Sequence, residues 1–179
     1  YKVSNKRLMF FMSFVMIISL LLPAFAVVSD NDYKSHWAST IIQEALDSGM
    51  AHGYPDGSFK PDNSITRGEF FSLVNNTFNF TVASEENFSD VALDAWYAPV
   101  VAKAKAAGYV TGYTDGGIRP DMSISRQEVA VILSNLISLS PSGSTLNYTD
   151  ALIVGSWSKE AIIALYEAGI MIGYPDGSF

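Results

Sequence analysis

The sequence predicts a mainly α fold built of tandem helix-loop-helix repeats, and three observations carry that expectation. A Gly-Tyr pair followed by an Asp-Gly turn is written three times: GYPDGSF at 53–59, GYTDGGI at 112–118 and GYPDGSF at 173–179. The step is 59 residues (53 to 112) and then 61 (112 to 173), and Trp37, Trp96 and Trp157 keep it, as do Asp56, Asp115 and Asp176. Between these marks, apolar residues recur at helical spacing. Fixed periods of this kind mark repeat architectures, whose units bury their apolar faces against one another.

The first 26 residues read as a secretory signal peptide. Lys2, Lys6 and Arg7 form a positive n-region, Leu8 to Leu22 an apolar run, and Ala24-Phe25-Ala26 an A-x-A cleavage site. The run is about 15 residues, short of the roughly 20 that a membrane-spanning helix needs. Cleavage is therefore expected, leaving a chain that begins near Val27 and has no membrane segment. That chain keeps eight Lys and Arg against 18 Asp and Glu, a net charge of −10. Nucleic acid, which needs a basic footprint, is excluded as a partner. The absence of Cys excludes a disulfide framework and Cys-based catalysis or metal sites. About 150 residues suffice for a hydrophobic core without such staples. Repeat boundaries are expected at 27–86, 87–146 and 147–179. A chain that begins at Tyr1 and stops inside its third repeat reads as a piece of a longer protein.

In the first repeat, WASTIIQEALDSG places Ile41, Ile42, Ala45 and Leu46 at helical spacing and stops at Gly49. The second repeat offers Val100, Val101, Ala104 and stop Gly108, with Pro99 acceptable in a first turn. The third offers Ile162, Ile163, Leu165, Tyr166 and stop Gly169. Each stop leads to the repeated turn, in which Tyr54-Pro55-Asp56-Gly57 suits type I geometry. Phe59 or Ile118 then plugs the apolar layer. A second helix follows, opened by a capping box: Thr66 with Glu69, and Ser125 with Glu128. Its expected stripe is Phe70, Leu73, Val74 and Phe78 in one copy and Val129, Ile132, Leu133 and Leu136 in the other. Polar stretches at 79–87 and 138–147 read as linkers. Phe88-Ser89-Asp90 and Tyr148-Thr149-Asp150 reopen the pattern, and Val28-Ser29-Asp30 is the candidate opening of the first repeat.

Arg67 and Arg126 follow the cap residues. A cation in a first helical turn opposes the helix dipole by about 0.3–1 kcal/mol, yet both copies carry it. Two readings stand: the guanidinium pairs with a nearby carboxylate such as Asp62 or Asp121, or it joins exposed backbone N–H groups in an anion site.

The order Phe-Ser-Asp, Trp, helix, Gly, GYPDGSF, Pro, ITRGE resembles the S-layer homology domain family over residues 28–179. The resemblance implies a secreted bacterial surface protein whose three units assemble around a pseudo-threefold axis. It implies non-covalent binding to an anionic, peptidoglycan-associated cell-wall polysaccharide, often pyruvylated, in grooves between units. The Arg of the motif is implied as the main ligand contact, here Arg67 and Arg126, with a third expected near position 187. Gly53, Tyr54, Gly112 and Tyr113 are candidate groove residues, the tyrosines for sugar stacking or for the core. Trp37, Trp96 and Trp157 read as core or groove wall, because large aromatics at fixed repeat positions usually pack; Trp37 and Trp96 are kept as candidate ligand contacts. Gly68 and Gln127 replace the usual Ala, expected to alter helix propensity more than chemistry. Thr114 and Gly117-Ile118 are expected to loosen the second turn.

No cofactor, metal or catalytic site is expected. The Asp-Gly turns lack EF-hand spacing, His36 and His52 do not recur, and no acid/base pair or nucleophile arrangement stands out. Non-catalytic wall anchoring leads. Its rivals are a tether for an exported polysaccharide-degrading enzyme, and a structural protein that self-associates in an S-layer.

Overall fold

The computed structural model describes residues 32–179; the signal-peptide segment and the Val28-Ser29-Asp30 stretch lie outside the described residues. Five helices are present among them: α1 (Ser39–Asp47), α2 (Arg67–Thr77), α3 (Ala98–Ala106), α4 (Arg126–Leu136) and α5 (Lys159–Glu167). The only bridge among the described residues is an isolated antiparallel one, Thr66 with Ser123. The fold is mainly α, as expected. The helices stop at Gly49, Gly108 and Gly169 with φ of 72°, 76° and 68°, a region that glycine occupies without steric cost.

The described chain forms two compact units, 32–47 with 52–61, and 48–51 with 62–179. In the first, α1 buries Ile42, whereas Ile41 is exposed, against expectation. Tyr33 is buried, its ring lies 5.8 Å from that of Phe59 and its hydroxyl donates to Gln43 at 2.7 Å. Asp32 Oδ2 accepts the amides of Phe59 and Lys60, both at 2.7 Å, which ties the plug residue to the start of the repeat. Asp90 accepts the amides of Ile118 and Arg119, and Asp150 that of Phe179. The latch that Asp90 and Asp150 provide is therefore Asp32 in the first repeat.

In the second unit, α2 packs on α3 and α4 packs on α5. Both pairings join the second helix of one repeat to the first helix of the next. The α2/α3 core centres on Phe71, Val74, Val101, Ala104 and Ile118, and the α4/α5 core on Ala130, Val154, Ile162, Leu165 and Phe179. The phase of α2 departs from the predicted stripe: Arg67, Phe71, Val74 and Asn75 are buried, while Phe70 is half-buried and Phe78 exposed. Positions i, i+4, i+7 and i+8 share one helix face, so Arg67 belongs to the packed face. Asn75 is satisfied there, donating to the Val100 carbonyl at 2.9 Å and accepting from the Tyr109 hydroxyl at 2.9 Å.

The repeated turn is tight in all three copies. Gly57, Gly116 and Gly177 amides donate to the carbonyls of Tyr54, Tyr113 and Tyr174, each at 2.9 Å. The Thr114 and Gly117-Ile118 differences do not loosen the second, because the backbone bonds that close it use neither side chain. Gly112 has φ of 74°, and a Cβ there would stand 2.5 Å from Phe88 Cε1 and 2.9 Å from the Gly117 carbonyl. Gly112→Ala is expected to cost about 2–4 kcal/mol from the left-handed backbone and the overpacking together. Urea unfolding checks this, and a loss under about 0.5 kcal/mol, the range of neutral surface changes, would contradict it.

Candidate ligand junctions between repeats

At the first junction of the second unit, the backbone of repeat 1 pairs with that of repeat 2 just ahead of α2. Arg67 N–H donates to the Met122 carbonyl and Gly68 N–H to the Pro120 carbonyl, both at 2.8 Å, and Ile124 N–H donates to Ile65 at 3.1 Å. The Thr66–Glu69 capping box is closed, with Glu69 N–H on Thr66 Oγ1 and Thr66 N–H on Glu69 Oε2. The first-turn amides of α2 are all taken, so this helix end offers no anion site.

Arg67 is only 6 % exposed. Its Nη1 donates to Glu128 Oε1 at 2.7 Å and its Nε to the Ile118 carbonyl at 2.7 Å. The guanidinium also faces the rings of Tyr113, at 5.1 Å, and Phe71, at 5.4 Å. The partner carboxylate is neither Asp62 nor Asp121. It is Glu128 of the next repeat's capping box, brought in because Arg67 lies on the buried face of α2. Glu128 thus has two roles: Oε2 takes the Ser125 amide at 2.9 Å, and Oε1 takes Arg67 and the Tyr113 hydroxyl, the latter at 2.8 Å. Burial works against its charge, but the Ser125 amide, the hydroxyls of Tyr113 and Ser125 and the Arg67 cation together hold it below the usual carboxylate range.

The tyrosines of the turns are covered by cations. Arg119 lies 3.9 Å from the Tyr113 ring centroid and 2.9 Å from Asp115; Lys60 lies 4.3 Å from the Tyr54 ring and 3.1 Å from Asp56. Ser58 and Lys60 hold the Asp56 carboxyl down at about 2. Gly53, with φ of 66°, and Gly112 are backbone hinges of these turns.

The second junction presents its arginine differently. Arg126 is half-buried, donates from one Nη to the Ile172 carbonyl at 3.0 Å, and lies 4.7 Å from the Tyr174 ring and 4.9 Å from the Phe179 ring. Among the described residues no carboxylate lies within ion-pair distance of it, and its Nε is buried without a hydrogen-bond partner. Ser125 and Glu128 close the capping box of α4. Gln127 reaches across the junction, where its Oε1 accepts the Gly155 amide at 2.9 Å and the Ser158 hydroxyl at 2.8 Å. The Ala replacement at this position therefore changes contacts as well as propensity.

The tryptophans are not core residues. Trp37, Trp96 and Trp157 are 86 %, 56 % and 60 % exposed. Each stands two residues ahead of its helix, in a turn outside the apolar stripe. Trp96 leans across the junction, its Cη2 3.5 Å from where a Cβ on Gly68 would stand, which makes it a wall of that junction. The Asp latch and the Gln127 bridge escaped sequence reading. The signal for the latch was an Asp 27 to 29 residues before each plug; that for the bridge was Gln127 together with Ser158 where the previous repeat has Tyr97.

The S-layer homology domain matches residues 29–71, 87–130 and 147–179, one match for each repeat. The chain belongs to the S-layer homology domain family. The Surface-layer 125 kDa protein of Lysinibacillus sphaericus is 27% identical over 160 residues, 88% of this chain and 14% of that one. The Cellulosome-anchoring protein of Acetivibrio thermocellus is 33% identical over 135 residues, 72% of this chain and 30% of that one. The Amylopullulanase of Thermoanaerobacterium thermosulfurigenes is 28% identical over 158 residues, 83% of this chain but 8% of the enzyme. The chain spans less than a third of each. S-layer homology domains are the non-catalytic, wall-associated parts of secreted surface proteins and bind cell-wall polymers, so likeness to an enzyme over this part carries no catalytic activity with it. No helix among the described residues is long and apolar enough to cross a membrane.

Proposed function

We propose that these repeats hold a secreted surface protein non-covalently to an anionic, peptidoglycan-linked polysaccharide, and that Arg126 at the second junction contacts its acidic group, a pyruvate ketal or similar carboxylate. The observation that carries this reading is the half-buried guanidinium of Arg126, cushioned on the rings of Tyr174 and Phe179 at the junction of two repeats. Arg grips a carboxylate through two parallel hydrogen bonds. A net-acidic chain meeting an acidic polymer must rely on such a local contact rather than on a broad field. Exposed Trp96 and Trp157 offer apolar faces for sugar rings. Arg67, neutralised by Glu128, serves the junction instead.

Co-sedimentation with purified wall sacculi tests the reading. The protein is expected to pellet with intact sacculi, to stay in solution with sacculi stripped of their polysaccharide, and to bind weakly when only the pyruvate ketals are missing. Equal retention by stripped sacculi would sink it. The presence of surface-layer, cellulosome-anchoring and amylopullulanase proteins among the relatives supports an anchor role whichever domain the anchor carries.

A further inference from the structure

The two junctions of the second unit occupy corresponding places in the repeat but are filled by different residue pairs. At the first, Gly68 is buried, and a Cβ on it would stand 3.3 Å from Tyr97 Cβ and 3.3 Å from the Pro120 carbonyl. The small residue on α2 accepts the large one ahead of α3, and the Tyr97 hydroxyl continues to Asp121 at 2.9 Å. At the second, the sizes are reversed. Gln127 stands 59 positions after Gly68, and Ser158 stands 61 after Tyr97. Ser158 is fully buried, and its hydroxyl and the Gly155 amide both end on Gln127 Oε1. The tryptophans follow the exchange: Trp96 leans over Gly68, whereas the Trp157 indole folds over Gly155 of its own repeat.

A second difference lies one turn further in. Buried Asn75 is bonded to Tyr109 and Val100 across the first junction. Its counterpart Ser134 is also buried but bonds within its own repeat, to the Leu139 carbonyl at 3.1 Å, and the counterpart of Tyr109 is the exposed Ile170.

We infer that the two junctions are keyed by size, Gly68 with Tyr97 and Gln127 with Ser158, so that each second helix fits the repeat that follows it and rejects the other. A Gln facing Tyr97 is overpacked, and a Gly facing Ser158 leaves the Gly155 amide without its acceptor and the buried Ser158 hydroxyl with only the Gly155 carbonyl, at 3.0 Å. The surface that α2 or α4 presents is therefore specific for its own neighbour. This keeps the repeats in order within one chain and disfavours out-of-register pairing between copies.

A double-mutant cycle tests the key. Gly68→Gln and Tyr97→Ser are each expected to lower Tm by about 5 °C, and the pair together to lie above Gly68→Gln alone, because the second junction's arrangement is rebuilt. The milder cycle of Gln127→Ala and Ser158→Ala decides the matter even where Gly68→Gln does not fold. There Ser158→Ala is expected to cost less in the Gln127→Ala background than in the parent, because the bond to Gln127 is already gone and only that to the Gly155 carbonyl remains to be lost. Losses that simply add, in whichever cycle folds, would overturn the inference.

Discussion

Arg67→Ala is expected to lower the unfolding free energy by about 3–5 kcal/mol, the range for removing one partner of a buried ion pair. The Arg67 side chain is 7% exposed and that of Glu128 24%, so the carboxylate left behind remains largely out of water. The Ile118 carbonyl loses its donor as well, and the space between Phe71 and Tyr113 empties. Urea denaturation followed by helical circular dichroism measures this, and a loss under about 1 kcal/mol, the range of exposed pairs, would show that the pair is not a structural link. The same pair carries a pH signature. Glu128 sits below its ordinary 4.5 in the fold, so its contribution is complete above that pH and is lost as the pH falls through the lowered folded value. Glu128→Gln is expected to lower stability at neutral pH and to flatten the decline on acidification. An unchanged acid limb would contradict the assignment.

Arg126→Ala is expected to weaken sacculus binding tenfold or more while leaving the fold nearly intact. A hydrogen bond to a charged group contributes about 1.5–3 kcal/mol, and about 1.4 kcal/mol corresponds to tenfold in affinity. Among the described residues, Arg126 gives up one bond to the Ile172 carbonyl and its stacking on Tyr174 and Phe179, so the structural cost is expected to be small. Arg126→Lys keeps the charge but not the planar fork, so an intermediate affinity is expected. A folded Arg126→Ala protein that pellets with sacculi as the parent does would remove Arg126 from the site. The two arginines thus separate: one substitution is read in unfolding, the other in binding.

Much of the architecture is legible in the chain itself. Periodicity marks three copies, because a unit that must bury one face against its neighbour repeats the residues that do so. The helix stops at Gly49, Gly108 and Gly169 and the capping boxes are readable because they depend on residues within four positions of one another. The phase of α2 is not. Phe70 and Phe71 stand side by side, so hydrophobicity alone does not choose between two stripes, and the choice falls to a polar pair, Arg67 and Asn75, whose partners lie in the next repeat.

The candidate site divides along the same line. Local chemistry written in the chain determined that Arg follows each cap and that an Asp-Gly turn precedes it, and the order of those motifs carried the resemblance to the S-layer homology family. Only the tertiary structure decided that Arg67 is buried against Glu128 while Arg126 rests on two rings, and that the tryptophans face solvent. The physical reason is that a side chain's charge balance and exposure are set by groups 46 to 61 residues away, such as Ile172 for Arg126 and Glu128 for Arg67. Two copies of one motif read alike in sequence because their local instructions agree; what surrounds each guanidinium is set by residues far along the chain.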